Sequence, residues 1–216
     1  MDNNTRIVVF DFDGTLGDTK KVILNTMQAV IKELDLPPRT NEQCQAMIGL
    51  PLSAVPEALF PEVGIPAEKY ASTYRRLFAG YNDDDAVKLF PHVKETLEEL
   101  RGKRIMMAIA SSRSHATLSE YIEKLGLKDT ISYVLGAENV KRPKPASDPV
   151  DKVLMIFSLR PETCIVVGDT VYDIQMGKNA GCRTIGVSYG NGTRQQLEEA
   201  GADYVIDDIQ DLLKFI

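Results

Sequence analysis

Two carboxylates two positions apart, Asp11 and Asp13, follow the apolar run Ile7-Val8-Val9-Phe10 and lead into Gly14-Thr15. Residues i and i+2 of an extended segment point the same way, so both acids project from one strand tip. Like charges held that close are costly unless a cation neutralises them. The arrangement points to divalent-metal chemistry, with one carboxylate free to act as a nucleophile and the other to move protons. Two aspartates can also simply end a strand and begin a turn. The buried-type strand before them, and a Gly14-Thr15 backbone that lets a ligand approach, favour the chemical reading.

Three more segments carry matching groups. Ser111 follows an apolar run at 106–110, and a hydroxyl at a strand end can hydrogen-bond a phosphoryl oxygen. Ser112 and the amides that open the next helix can do the same. Lys144 lies in Arg142-Pro143-Lys144-Pro145, where prolines on both sides restrict the backbone and fix a positive charge. Lys141 and Arg142 compete with it for that role. The fourth segment, Gly168-Asp169-Thr170-Val171-Tyr172-Asp173, follows the apolar run 164–167. A helix dipole alone would account for Asp173. Asp169, however, sits at a second strand tip and joins Asp11 and Asp13 in an oxygen-rich site. Magnesium suits such a site, since it prefers octahedral oxygen ligands and keeps several waters. The chain has no His/Cys cluster that would favour zinc, and His92 and His115 each stand alone.

The elements that must position these groups alternate. Strand-like runs recur at 7–10, 105–110, 133–135, 164–167, 184–187 and 204–206. Helical segments are expected at 93–101, at 114–125 with Ser114 as N-cap, from Asp148-Pro149 onward with Asp148 as N-cap, and at 173–180. This pattern predicts an α/β, Rossmann-like, mostly parallel sheet with helices on both faces and ligands at the carboxyl ends of its strands. The alternation breaks between Asp18 and Asp85, where no strand is evident. Val22, Ile23, Met27, Val30, Ile31 and Leu34 follow helical spacing, Thr40 with Gln43 makes a capping-box signature, and Ala71, Tyr74, Phe78 and Tyr81 mark a further apolar helical face. An all-helical block inserted directly after the first strand tip overhangs the strand ends. Residues 18–85 are therefore expected to form a cap domain on a core of 1–17 and 86–216, with hinges at Asp18-Thr19 and 82–85.

The totals agree. A chain of 216 residues with 44% hydrophobic and 26% charged content is an ordinary globular composition. A net charge of −6 argues against general nucleic-acid or anionic-membrane binding. No apolar run approaches the roughly 20 residues that span a bilayer. Cys44, Cys164 and Cys182 are widely spaced and read as reduced thiols of a cytoplasmic protein, and the polar residues 1–6 show no signal segment. Oligomeric state is not readable.

Taken in order, the four segments resemble the motifs of the haloacid dehalogenase superfamily, in its subfamily with a helical cap after the first motif. Asp11-Phe12-Asp13-Gly14-Thr15-Leu16 is similar to the first motif, Ser111 to the second, Lys144-Pro145 to the third and Gly168-Asp169 with Asp173 to the fourth. Within the family, Leu89-Phe90-Pro91-His92-Val93, the loop Lys144-Pro145-Ala146-Ser147-Asp148-Pro149 and Tyr189-Gly190 resemble phosphoglycolate-phosphatase-like enzymes, although glycine is more usual where His92 stands. The resemblance implies a Mg2+-dependent phosphatase acting on a small phosphomonoester such as 2-phosphoglycolate through an aspartyl-phosphate. It implies Asp11 as nucleophile and Asp13 as proton shuttle. It implies Asp11, the Asp13 carbonyl, Asp169 and Asp173 at the metal, with Ser111, Ser112, Lys144 and Thr15 around the phosphate. Asp13 separates this reading from dehalogenation. Inorganic pyrophosphatase and β-phosphoglucomutase are same-fold alternatives, and an aspartate-phosphorylated signalling receiver is the alternative from another class. Mutases of the subfamily commonly carry valine where Thr15 stands. The loop Ala46-Met47-Ile48-Gly49-Leu50-Pro51-Leu52 resembles the substrate-facing part of the cap and has no charge, leaving Arg75 and Arg76 as the nearest cations.

Overall fold

The computed structural model describes residues 4–82 and 86–216. In chain order its elements are β1 (Ile7–Phe10), β2 (Gly17–Asp18), α1 (Lys20–Glu33), α2 (Asn41–Gln45), α3 (Val55–Leu59), α4 (Ala67–Tyr81), β3 (Lys88–Leu89), α5 (Val93–Gly102), β4 (Met106–Ala110), α6 (His115–Lys124), β5 (Tyr133–Leu135), α7 (Asp148–Phe157), β6 (Cys164–Gly168), α8 (Val171–Asn179), β7 (Arg183–Val187), α9 (Arg194–Glu199) and β8 (Tyr204–Ile206).

Six strands form one parallel sheet in the order β5-β4-β1-β6-β7-β8. A parallel strand covered on both faces has no side for polar residues, and all four residues of β1 are fully buried. Its side chains alternate between two cores. Val8 and Phe10 pack with Leu97 and Leu100 of α5 and with Leu118 of α6, whereas Ile7 and Val9 pack with Val150 and Val153 of α7 and with Met176 of α8. The alternation places helices on both faces and leaves β1 central, between β4 and β6.

Four helices, α1 to α4, lie between β2 and β3. α1 buries Val22, Ile23, Met27, Val30 and Ile31, while α4 buries Tyr70, Ala71 and Phe78. The Thr40–Gln43 capping box forms in both directions. The block is bounded by a strand pair that the spacing did not reveal: β2 pairs antiparallel with β3, Gly17 opposite Leu89 and Asp18 opposite Lys88. Two-residue strands carry no readable periodicity. Of the second expected hinge, Asn82 accepts a 2.5 Å hydrogen bond from the Tyr121 hydroxyl, and residues 83–85 lie outside the described residues.

Three other expectations shift. The N-cap of α7 is Ser147, because the Asp148 carboxylate is occupied by the Arg142 amide at 3.1 Å and its Nε at 3.0 Å. The helix expected from Asp173 begins at Val171, because Thr170 caps it and Asp173 closes the capping box from inside. Tyr81, placed by spacing on the apolar face of α4, is exposed at the helix end.

Candidate active site

The chemistry-bearing residues converge at the carboxyl ends of the strands, where an open parallel sheet presents its loops. Asp11 follows β1, Ser111 follows β4 and Asp169 follows β6. The first loop turns sharply enough to bring backbone against the acids. Gly14 adopts φ +93°, and a Cβ there would stand 2.1 Å from Asp169 Oδ2, so no other residue fits.

Lys144, Asp11 and Asp173 are all buried and form one unit. Lys144 Nζ donates to Asp11 Oδ1 at 2.6 Å and to Asp173 Oδ1 at 2.5 Å. Burial works against the lysine's charge, but the two carboxylates outweigh it and hold its pKa above the ordinary value. Lys141 and Arg142, the rival cations, are exposed, and Arg142 pairs with Asp148. Asp173 is held from its other side by the Thr170 amide at 3.0 Å and hydroxyl at 2.6 Å.

Asp169 is fixed by three donors. Thr15 Oγ1 reaches Oδ1 at 3.0 Å, while the Asn191 amide at 2.7 Å and Nδ2 at 2.9 Å reach Oδ2. Thr15, expected at the phosphate, is thus fully buried with its hydroxyl committed to Asp169. Burial and the charge of Asp173 push Asp169 up to about 7, against the pull of its hydrogen bonds. Asp11 is raised well above the usual carboxylate range by burial. Lys144 opposes that shift, and Asp173, Asp169 and Asp13 add to it.

Carboxylate oxygens of Asp11, Asp169 and Asp173 lie within 4.8 Å of one another. Three buried acids share a single lysine, and the buried Asn191 Oδ1 beside them makes no hydrogen bond among the described residues. An all-oxygen donor set with excess negative charge fits a hard divalent cation such as Mg2+.

The Asp13 carboxylate faces the cavity instead, while its carbonyl, expected at the metal, accepts from Asn191 Nδ2 at 3.4 Å beside Asp169. The Asp13 carboxylate is forked by Arg113, with Nε at 3.2 and 3.1 Å from the two oxygens and Nη2 at 2.6 Å from Oδ1. The guanidinium is sandwiched, 4.9 Å from the ring centre of Phe78 on α4 and 5.1 Å from that of Tyr121 on α6. Ser111 Oγ accepts from the Arg113 amide at 3.2 Å, and Ser112 Oγ donates to the Gly49 carbonyl at 2.6 Å, joining core to helical block. A cavity of about 480 Å3 opens above these groups, lined by Asp11, Asp13 and Ser111 from the core and by the uncharged 47–52 segment from the block.

The sequence profile of haloacid dehalogenase-like hydrolases matches residues 8–187. The chain belongs to that family. Haloacid dehalogenase-like relatives align over nearly its whole length. Pyrophosphatase PpaX of Oceanobacillus iheyensis is 30% identical, covering 98% of this chain and 96% of its own. Phosphoglycolate phosphatase of Escherichia coli K12 is 29% identical, covering 96% and 91%. The fold matches the crystal structure of a predicted phosphoglycolate phosphatase from Haemophilus somnus with TM-score 0.87 at 23% identity, covering 99% of both chains.

Two residues of this haloacid dehalogenase-like site escaped the sequence reading. Arg113 sits two positions after Ser111 and just before the Ser114 N-cap, where an arginine reads as a solvated side chain. Asn191 follows the Tyr189-Gly190 pair already singled out, and the buried Asp169 it serves was the available signal. His92, expected to stand alone, pairs with Asp208, Nδ1 to Oδ2 at 2.6 Å. It adopts φ +60°, a left-handed conformation that favours the glycine more usual there. His115 opens α6, its amide bonded to Glu138 at 2.9 Å. Among the described residues, no helix is long and apolar enough to cross a membrane.

Proposed function

We propose that this hydrolase is a magnesium-dependent phosphatase that cleaves a small phosphomonoester with Asp11 as its nucleophile, 2-phosphoglycolate being the representative substrate. The observation that carries the reading is the placement of Asp11. It is buried beneath the cavity, bonded to Lys144, and within reach of Asp169 and Asp173, while Arg113 bonds Asp13 instead. The relatives named phosphoglycolate phosphatase and pyrophosphatase support the same reaction type.

A bound Mg2+, held by Asp11, Asp169 and Asp173, would neutralise phosphoryl charge as the bond to phosphorus forms. The chain's own groups do the rest. An Asp11 oxygen attacks phosphorus in line, and the P–O bond to the leaving alcohol breaks with a proton arriving from Asp13. Water then attacks the aspartyl-phosphate, gives its proton to Asp13, and Asp11 and inorganic phosphate are released. Lys144 keeps the Asp11 carboxylate tolerable beside an anionic substrate, and Ser111 with the neighbouring amides meets the equatorial oxygens. We assign residues 18–85 the role of a cap that excludes water while the intermediate exists, on the ground that the 47–52 segment walls the cavity.

A panel of phosphate esters with Mg2+, including 2-phosphoglycolate, β-glucose 1-phosphate and pyrophosphate, tests the proposal. Phosphate release that disappears in Asp11→Asn is the expected result. No release from any member, or an Asp11→Asn variant as active as wild type, sinks it. Fast repeated turnover also excludes a receiver that merely stores a phosphoryl group.

A further inference from the structure

Resting on that reading, we infer that Arg113 is the specificity-determining residue of the site, and that it selects esters whose leaving group carries a second anionic group. Among the described residues, the cavity has two cationic side chains, Arg75 and Arg113. Arg75 is largely exposed and pairs with Glu68 at 3.2 Å. Lys144 is spent on Asp11 and Asp173. Arg113 is therefore the buried cation left to meet a substrate charge, with 9% of its side chain exposed.

The guanidinium is built for exchange rather than for one fixed partner. Nε and Nη2 carry all three hydrogen bonds to Asp13, while Nη1 makes none among the described residues. The Phe78 and Tyr121 rings hold the guanidinium through its faces, so its donor edges can change partners without loss of the stack. Burial opposes the charge, but Asp13 holds it firmly in place, so Arg113 stays cationic throughout. Apart from Arg75, the opposite wall gives an anion no competing cation among the described residues; its donors, such as the Tyr70 hydroxyl, are neutral. The 47–52 segment is uncharged, and Glu138, the third acid in the lining after Asp11 and Asp13, is bonded to the His115 amide.

Asp13 is also the acid assigned to the leaving oxygen. While Arg113 forks it, both of its oxygens are taken. A carboxylate or further phosphoryl group on the leaving side that binds Nη1 and draws the guanidinium off the Asp13 carboxylate breaks the fork and frees Asp13 at the place where the proton is needed. Recognition and proton transfer are thereby coupled. A neutral ester leaves Asp13 tied up and is penalised in kcat as well as KM.

The test compares 2-phosphoglycolate with 2-hydroxyethyl phosphate, which replaces the carboxylate by a hydroxymethyl group, at saturating Mg2+. Wild type should favour the carboxylate ester in kcat/KM by about ten- to a hundredfold, the usual worth of a charged hydrogen bond. Arg113→Gln should bring that ratio close to one, through a raised KM for 2-phosphoglycolate together with a raised kcat for 2-hydroxyethyl phosphate, and Arg113→Lys should fall between. A wild-type ratio near one overturns the inference, as does an Arg113→Gln variant that slows both esters by the same factor. If Arg113→Gln does not fold, an Arg113→Lys ratio equal to wild type overturns it and a lower one supports it. Turnover of neither ester, nor of any in the panel, overturns the phosphatase reading itself, an outcome distinct from turnover without discrimination.

Discussion

Lys144 Nζ lies between Asp11 and Asp173, 2.6 Å from one carboxylate and 2.5 Å from the other, and all three side chains are buried. The lysine is thus a structural counter-ion to both acids. Removing one partner of a buried ion pair leaves an uncompensated charge, which costs about 3–5 kcal/mol. Lys144→Met should destabilise the metal-free protein by about that amount in urea unfolding at pH 8. The same variant should release phosphate far more slowly. A change below about 1 kcal/mol would show that water reaches the pair and screens it.

Asp13 and Asp11 lie two residues apart yet face different partners, and the division predicts separable kinetics. Asp13→Asn should lower turnover of alkyl phosphates by about 10²–10⁴-fold, the usual contribution of a positioned acid or base. With 4-nitrophenyl phosphate, whose leaving group needs no proton, the first step should survive and the second should not. A burst of nitrophenol matching the enzyme concentration, with phosphate bound to protein, is the expected signature. Asp11→Asn should show no burst. Equal and steady release of both products by Asp13→Asn would remove Asp13 from the hydrolytic step.

Asn191 gives Asp169 two of its three hydrogen bonds and also reaches the Asp13 carbonyl at 3.4 Å. Groups that orient a metal ligand are commonly worth 10–100-fold in metal affinity. Asn191→Ala should therefore raise the Mg2+ concentration for half-maximal activity by about that factor, with little change in the rate at saturation. The retained backbone amide predicts the lower end of the range. A loss of saturating rate with unchanged Mg2+ dependence would assign Asn191 to the substrate instead.

Legibility in the sequence followed how local each signal was. The buried strands were readable because β1, β4 and β6 are continuous apolar runs ended by chemistry-bearing residues, so Asp11, Ser111 and Asp169 announced both the strand and its tip. The Thr40–Gln43 box was readable because capping is decided within four residues. The β2–β3 ribbon was not, since Gly17 and Leu89 pair across an entire helical block and neither strand is long enough for a pattern. Arg113 was missed for a related reason. Its meaning depends on Asp13, 100 residues earlier, and on the two rings that hold it. Thr15 was placed at the phosphate by position in its motif, but only the fold reveals that its hydroxyl meets an acid 154 residues away.

The acidic cluster also fixes how stability should vary with pH. Asp169 is raised from 3.8 to about 7, and Asp11 is raised as well. A carboxyl whose pKa rises on folding binds protons more tightly in the folded state, so its contribution is complete below the ordinary value and is lost as pH rises through the folded one. Lys144, held above its ordinary value, stays charged throughout this range and adds no slope of its own. Metal-free protein should therefore lose thermal stability between about pH 4 and pH 7. Mg2+ competes with those protons, so its stabilising effect should grow over the same interval, and binding should release protons to the buffer near pH 6.5. Calorimetry in two buffers of different ionisation enthalpy counts the released protons directly. A Mg2+-induced shift in Tm that is the same at pH 5.5 and pH 8 would show that the ion does not bind at Asp11, Asp169 and Asp173.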